Sequence, residues 1–206
     1  KDFIKEQRIR SNKTLYEQDI NPVFRCLEEN YLGKETPKLN TMFFDIEVDF
    51  DKDVGFAPPE DPFNPVTAIA VNLNWIGKTI CIACKPDTLT KEDAQEICDR
   101  FPDTLLMDTE EELLKTFLEL IEDADVMSGW NSEGFDIPYL VNRVTRILGK
   151  DYTRKFCLWN MLPKEREFER YGATNQTYDI HGQIILIPAF STTVQHVVMP
   201  FFTTPF

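Results

Sequence analysis

One short apolar stretch, residues 41–48, constrains the fold of this chain more than any other part of it. It reads Thr-Met-Phe-Phe-Asp-Ile-Glu-Val, and its aromatic and β-branched residues predict a β-strand. Two carboxylates, Asp45 and Glu47, interrupt the apolar run two positions apart. Both therefore point to one face of the strand, while Phe44 and Ile46 point to the other.

The carboxylate pair admits two interpretations. Neighbouring carboxylates in a largely apolar strand repel each other and lose hydration, and a hard divalent cation between them removes both penalties. On this reading Asp45 and Glu47 form half of a metal site. The alternative is an edge strand with one solvated polar face, which is common in antiparallel sheets.

The composition narrows the classes of function. The 206 residues suit one large domain with or without a small appendage, and a hydrophobic content of 42% suffices for its core. A net charge of -13 argues against a broad basic surface that coats nucleic acid, although it leaves room for a local basic groove. Five scattered cysteines predict reduced thiols in a cytoplasmic setting. We find no signal peptide and no apolar span of ~20 residues, so no membrane partner is expected.

The order of the predicted elements indicates an α/β fold. Strands at 41–48, 66–74 and 78–83 are joined by short connections, which predicts an antiparallel meander. From Thr90 onward, capped helices alternate with short strands, and the last strongly amphipathic helix begins near Asp136. A meander followed by alternating helices and strands is the order of a ribonuclease H-like fold with a mixed sheet.

A second group of polar residues follows the last buried strand, in the sequence Gly-Trp-Asn-Ser-Glu-Gly-Phe-Asp at 129–136. It lies where a strand ends and a helix begins, which is where α/β folds place their sites. Asn131 offers an amide, Asp136 offers a carboxylate, and Gly134 allows a tight turn. Taken alone, the motif is better explained by turn and cap residues. Its combination with the carboxylate strand favours a site.

Together these motifs resemble the exonuclease domain of family B DNA polymerases of the type found in T4-like bacteriophages, including marine ones. The sequence Phe-Asp-Ile-Glu at 44–47 resembles their first exonuclease motif, and Asn-Ser-Glu-Gly-Phe-Asp at 131–136 resembles their second. Residues 15–20, before the first predicted helix, resemble the segment that leaves the N-terminal domain of these polymerases. Residues 136–143 and 180–182 also fit, so the resemblance covers roughly residues 15–185.

The resemblance implies a proofreading 3′→5′ exonuclease that acts on the 3′ end of single-stranded DNA with two divalent cations, Mg²⁺ or Mn²⁺. It implies that Asp45 bridges the cations, that Glu47 holds the cation that activates water or orients that water, and that Asp136 ligates the second cation, largely through water. It also implies that Asn131 and Phe135 hold the terminal nucleotide or shape its pocket. Further candidates for DNA contact are aromatic residues (Phe43, Phe56 and Trp130) and basic residues (Lys164, Arg166 and Arg170) in a segment that suits a hairpin or a helix.

The C-terminal end departs from the family. We expect residues 1–38 to be a connector from the polymerase N-terminal domain, 39–185 to be the exonuclease domain, and 186–206 to be an atypical tail. The family's third motif, Tyr-x-x-x-Asp, is absent, and no Asp or Glu follows Asp179. We therefore expect a domain that is incomplete at its C-terminus, weak or inactive alone, and without a polymerase site. The alternative is a non-catalytic module that binds DNA or a polymerase subunit and is completed by a second chain.

Overall fold

Helix α1, Pro22–Tyr31, lies in the first of two units into which the chain divides, Lys1–Lys38 and Leu39–Phe206. The computed structural model describes residues 21–170 and 173–186. Asn21 caps α1 as the sequence predicts, because its side chain accepts a hydrogen bond from the backbone N–H of Val23 at 3.0 Å. The family-like segment at 15–20 and the tail beyond residue 186 lie outside the described residues.

A six-stranded mixed sheet forms the centre of the second unit. The predicted antiparallel meander is confirmed and consists of β1 (Thr41–Val48), β2 (Val66–Leu73) and β3 (Lys78–Cys84). The remaining strands pair in parallel at the two edges: β4 (Thr104–Met107) on β3, β5 (Val126–Ser128) on β1, and β8 (Ile184–Leu186) on β5.

Three helices follow the meander: α2 (Lys91–Cys98), α3 (Glu110–Leu120) and α4 (Asp136–Ile147). Thr90 and Thr109 cap the first two, with side-chain oxygens that accept from backbone N–H groups three residues later. Helix α3 buries an apolar stripe of Leu113, Leu114, Phe117 and Leu118. Two 3-10 turns, Lys150–Phe156 and Leu158–Asn160, complete the helical part.

The core lies against one face of β1. Met42, Phe44 and Ile46 are buried there, and the Phe44 ring lies 6.1 Å from the ring of Phe117 on α3. The alternate residues, which include Asp45 and Glu47, are only half-buried. The strand therefore presents both carboxylates on the face turned away from its apolar residues.

A two-stranded hairpin of β6 (Lys164–Arg170) and β7 (Ala173–Asp179) stands apart from the main sheet. The sequence of this segment is compatible with either a hairpin or a helix, and the structure shows a hairpin. Because strand residues alternate between faces, the pattern Lys-Glu-Arg-Glu-Phe-Glu-Arg separates its basic residues from its acidic ones.

Two sequence expectations concern cysteines and membranes. The five cysteines are all free thiols. Within residues 21–170 and 173–186, no helix has the length and apolarity that crossing a membrane requires.

Candidate metal and nucleic-acid site

The first pair of candidate residues lies in the middle of the main sheet. Asp45 and Glu47 stand opposite Ala70 and Ala68 of β2 in the antiparallel register. Opposed residues of an antiparallel pair share a face, so the cross-strand neighbours of the two carboxylates are small methyl side chains. The register shifts directly after Glu47, which ends the regular pairing at the site.

Helix α4 brings a third carboxylate to this pair. Asp136 is the first residue of the helix and is only 3% exposed. Its Oδ1 accepts a hydrogen bond of 3.3 Å from the backbone N–H of Ile46, the residue between the two acids of β1. The structure therefore places the three predicted acids together, while their role as metal ligands stays a prediction.

Asp136 can reach the two acids of β1 because the segment after β5 runs very close to β1. Gly129 follows β5, and a Cβ atom added there would lie 2.5 Å from the carbonyl oxygen of Phe44. No side chain fits at such a distance from a backbone atom, so only glycine lets the chain after β5 run against β1. The turn that leads to Asp136 is thereby held beside Asp45.

Burial raises the pKa of all three acids, and the charge of a neighbouring acid adds to this effect at Asp45 and Asp136. Burial, followed by the charge of Glu47, raises the pKa of Asp45 to about 6. Burial also raises the pKa of Glu47 above its usual range. For Asp136, burial and then the charge of Asp45 raise the pKa to about 8, against the opposing effect of the Ile46 N–H. Since the pKa of each acid is raised, added positive charge is favoured beside them.

The three carboxylates are suitable ligands for a hard cation, but they do not form a preformed metal-binding site. Carboxylate oxygens are the ligands that Mg²⁺ and Mn²⁺ prefer. In the part of the chain that the structure describes, no three His, Cys, Asp or Glu side chains converge as a group able to hold a metal ion. Metal binding at Asp45, Glu47 and Asp136 therefore requires their side chains to turn toward a common point.

The turn between β5 and α4 carries the two predicted nucleotide-binding residues. Asn131 adopts left-handed backbone angles with φ of 56°, and its carbonyl accepts from the N–H groups of Gly134 and Phe135. Gly134 is needed for space, because a Cβ there would lie 2.9 Å from the Asn131 Oδ1. The Phe135 ring packs 5.3 Å from the ring of Tyr139, toward the core. Whether Asn131 and Phe135 touch a nucleotide stays a prediction.

The three aromatic candidates for base stacking differ in position. Phe43 is half-buried on the same face of β1 as Asp45. Trp130 is 60% exposed directly beside Asn131, and Phe56 is exposed in the loop after β1, against the ring of Phe50. Phe43 and Trp130 are therefore the candidates nearest the acids along the chain.

A polar stripe on α4, which the sequence did not reveal as functional, fixes the loop at 49–65. Tyr139 donates to the Asn64 carbonyl at 2.7 Å, and Asn142 donates to the Pro59 carbonyl at 2.8 Å. Arg143 donates to the carbonyls of Pro62 and Phe63 and forms an ion pair with Glu110. The sequence signals for these residues are their helical spacing and their place within 136–143, which resembles the family.

The hairpin is anchored to the same turn and helix. Arg166 forms ion pairs with Glu133 and Asp179, Thr177 donates to the Glu133 carbonyl, and Tyr178 donates to Asn142. Arg166 was a candidate for phosphate contact, but its guanidinium already has two carboxylate partners. Lys164 stays a candidate, and the side chain of Arg170 is outside what the structure describes.

Comparison with known proteins identifies the family. The model of the exonuclease domain of DNA polymerase family B matches residues 1–187. The chain belongs to the family B DNA polymerase exonuclease domains. The mixed sheet is that of a ribonuclease H-like domain, as the element order predicted.

Two phage polymerases are similar to this exonuclease domain in sequence. The DNA-directed DNA polymerase of Enterobacteria phage T4 is 35% identical over 97 residues, which are 46% of this chain and 11% of that protein. The DNA-directed DNA polymerase of Escherichia phage RB69 is 29% identical over 140 residues, which are 57% of this chain and 15% of that protein. The chain thus spans only a small part of the length of these relatives.

Proposed function

We propose that this domain removes nucleotides from the 3′ end of single-stranded DNA with the help of two divalent cations, Mg²⁺ or Mn²⁺. The observation that carries the proposal is the hydrogen bond from the Ile46 N–H to Asp136, which holds a third acid beside Asp45 and Glu47. Membership of an exonuclease domain family supports it, as does similarity to two DNA polymerases.

Each residue has a distinct task in this proposal. Asp45 and Glu47 supply oxygen ligands from a rigid strand, and Asp136 supplies a third from the first turn of α4. Divalent cations in such sites activate water and neutralise the charge on the departing 3′ oxygen. Asn131 and Phe135 orient the last nucleotide, so that the scissile phosphate lies over the carboxylates.

The alternative is a second function, the binding of DNA or of a polymerase subunit without chemistry, and it is based on the absence of the Tyr-x-x-x-Asp motif from this sequence. In that case the fold would bind single-stranded DNA or a separate polymerase fragment, and a further chain would complete the site. Metal titration separates the two functions, because only the exonuclease requires cations at Asp45 and Glu47.

The direct test is hydrolysis of a 5′-labelled single-stranded oligonucleotide in Mn²⁺, with the Asp45→Asn variant beside the wild type. We expect slow wild-type cleavage from the 3′ end, because the third motif is absent, and no detectable cleavage by the variant, because a ligand is removed. Asp49→Asn is the matched control, since it removes the same charge from an exposed acid just after β1. Equal cleavage by wild type and Asp45→Asn would refute the proposed site, whereas the absence of both Mn²⁺ binding and cleavage would favour the binding module.

Metal binding should release protons, because the raised pKa of Asp136, about 8, keeps this acid mostly protonated at pH 7. We expect roughly one proton released per protein at pH 7 and almost none well above pH 8. Calorimetry of Mn²⁺ binding in two buffers of different ionisation enthalpy measures this number, and Asp136→Asn should abolish the release. Wild-type binding at pH 7 without proton release would contradict the assignment of Asp136.

The same pKa sets the sign of a stability change in metal-free protein. Folded Asp136 binds a proton up to pH of about 8, whereas an unfolded aspartate ionises near its model value of 3.8. The folded state therefore holds more protons between these values, and its stability falls as the pH rises through this window. Bound cations should remove that fall.

A further inference from the structure

Two residues of the hairpin contact the same residue of the turn between β5 and α4. Arg166 on β6 and Thr177 on β7 stand opposite each other in the antiparallel register, so both side chains lie on one face of the hairpin. The Arg166 guanidinium forms an ion pair with the Glu133 carboxylate, and the Thr177 hydroxyl donates to the Glu133 carbonyl at 2.7 Å. The hairpin therefore holds Glu133 by its side chain and by its backbone.

Glu133 lies between the two polar residues that this turn contributes to the candidate site. Asn131 precedes it by two positions, and Asp136 follows it by three. The Asn131 carbonyl accepts from the N–H groups of Gly134 and Phe135, so the turn is one hydrogen-bonded unit. A shift of Glu133 therefore moves both the Asn131 amide and the Asp136 carboxylate.

The start of α4 depends on contacts from outside the helix. Phe135 occupies the N-cap position, and its ring cannot accept a hydrogen bond from the N–H groups of the first turn. The Ile137 N–H donates to the Ser132 carbonyl at 2.8 Å, in place of the Glu133 carbonyl four residues before it. The Glu133 carbonyl is thereby left to the hairpin, whose contacts hold the backbone that leads into the helix.

The Arg166 guanidinium is held by carboxylates on both sides. Its Nε donates to Asp179 of β7 at 2.8 Å, and its Nη2 donates to Glu133. The side chain of Arg166 is 41% exposed and that of Glu133 is 26% exposed, so the pair contributes little to the stability of the fold. Because the guanidinium is planar and rigid, it instead sets the distance and direction between the hairpin and the turn.

We propose that Arg166 is a positioning residue of the candidate metal site, acting through Glu133 on the turn that presents Asp136. The hairpin then determines how firmly the third carboxylate is held beside β1, and the cation affinity of the site depends on the hairpin. This role rests on the proposed exonuclease function for the use of the site, whereas the link between the hairpin and the turn is measurable without cations.

Amide hydrogen exchange in EDTA tests the link in the metal-free chain. The N–H groups of Gly134 and Phe135 report on the turn, because both donate to the Asn131 carbonyl. We expect both to exchange faster in Arg166→Met than in the wild type. The N–H groups of β2 should keep their rates, since the substituted side chain is partly exposed and the sheet folds without it.

Tyr178→Phe is the matched control on the hairpin. It removes the hydrogen bond to Asn142 on α4 and leaves both Glu133 contacts in place. The exchange rates in the turn and the Mn²⁺ affinity should equal those of the wild type. Arg166→Lys keeps a cation beside Glu133 and should recover most of the slow exchange that is lost in Arg166→Met.

Calorimetric titration with Mn²⁺ tests the consequence for the site. We expect Arg166→Met to bind Mn²⁺ roughly tenfold more weakly than the wild type, as is found for groups that hold metal ligands in place. The double variant with Arg166→Met and Glu133→Met should bind no more weakly than Arg166→Met alone, because the guanidinium acts through Glu133.

Three results would overturn the positioning role. They are unchanged exchange of Gly134 and Phe135 in Arg166→Met, equal acceleration in Tyr178→Phe, and wild-type Mn²⁺ affinity in Arg166→Met. A wild type that binds no Mn²⁺ would refute the proposed exonuclease site itself, before any variant is compared. The exchange rates would then still decide whether Arg166 holds the turn.

Discussion

Replacing Arg143 by methionine should lower the free energy of unfolding by about 3–5 kcal/mol, because it leaves a buried carboxylate unpaired. The guanidinium donates to both oxygens of Glu110, from Nε to Oε1 at 2.7 Å and from Nη2 to Oε2 at 2.6 Å. The two side chains are only 8% and 13% exposed. Methionine keeps the packing of the aliphatic stem, so a urea titration of the variant reports the lost cation together with its hydrogen bonds to the Pro62 and Phe63 carbonyls.

Arg146→Met is the matched control on the same helix. Arg146 forms an ion pair of 2.7 Å with Asp61, which lies in the loop at 49–65. The side chain of Arg146 is 44% exposed and that of Asp61 is 66% exposed. We expect its removal to change the stability by about 0–1 kcal/mol, since water replaces the lost partner. Equal losses of stability in the two variants would show that burial does not increase the contribution of the Arg143–Glu110 pair. Adding Glu110→Gln to Arg143→Met should recover part of the loss, because it removes the unpaired charge.

Replacing Gly129 by alanine should destabilise the domain by about 2–3 kcal/mol and also disturb the acids. The new Cβ atom would lie 2.5 Å from the Phe44 carbonyl oxygen, which cannot move without separating β1 from the chain that follows β5. The turn that positions Asp136 would shift with it. Urea unfolding measures the first effect, and the Mn²⁺ affinity measures the second.

Gly134→Ala, in the turn between β5 and α4, is the comparison variant, because its new Cβ atom would clash with a side chain and not with the backbone. Its Cβ would meet the Asn131 Oδ1 at 2.9 Å, which is the end of a side chain that can rotate away. We expect a much smaller loss of stability than for Gly129→Ala, together with a displaced Asn131 amide. If Gly129→Ala were as stable as the wild type, the close approach of the two segments would not be required.

Local features of the fold could be predicted because their causes lie close together in the sequence. The alternation in β1 separates Asp45 from Phe44 whatever the rest of the chain does. Thr90 and Thr109 bond to N–H groups three residues away, so capping needs no tertiary information. The nearness of Asp136 to Asp45 followed from a family resemblance, and the structure gives its physical basis at Gly129.

Other features depend on contacts that sequence patterns do not encode. Glu110 lies in the first turn of α3, and Arg143 lies within α4. They form an ion pair only because the two helices pack together. Arg166 looked available for phosphate, because its two carboxylate partners lie on a turn and on the opposite strand. Gly134 was explained by turn geometry, whereas the structure shows that it makes room for Asn131.

The position of β1 in the sheet also affects how the domain is built during synthesis. On one side β1 pairs with β2, which follows it closely in the chain, but its other neighbour, β5, starts only at Val126. The emerging meander therefore exposes one unpaired edge of an aromatic-rich strand until β5 has been made. Such edges pair readily with other chains, and charged side chains on them oppose this pairing. Asp45 and Glu47 thus place two charges on a strand whose second edge stays unpaired until β5 is made.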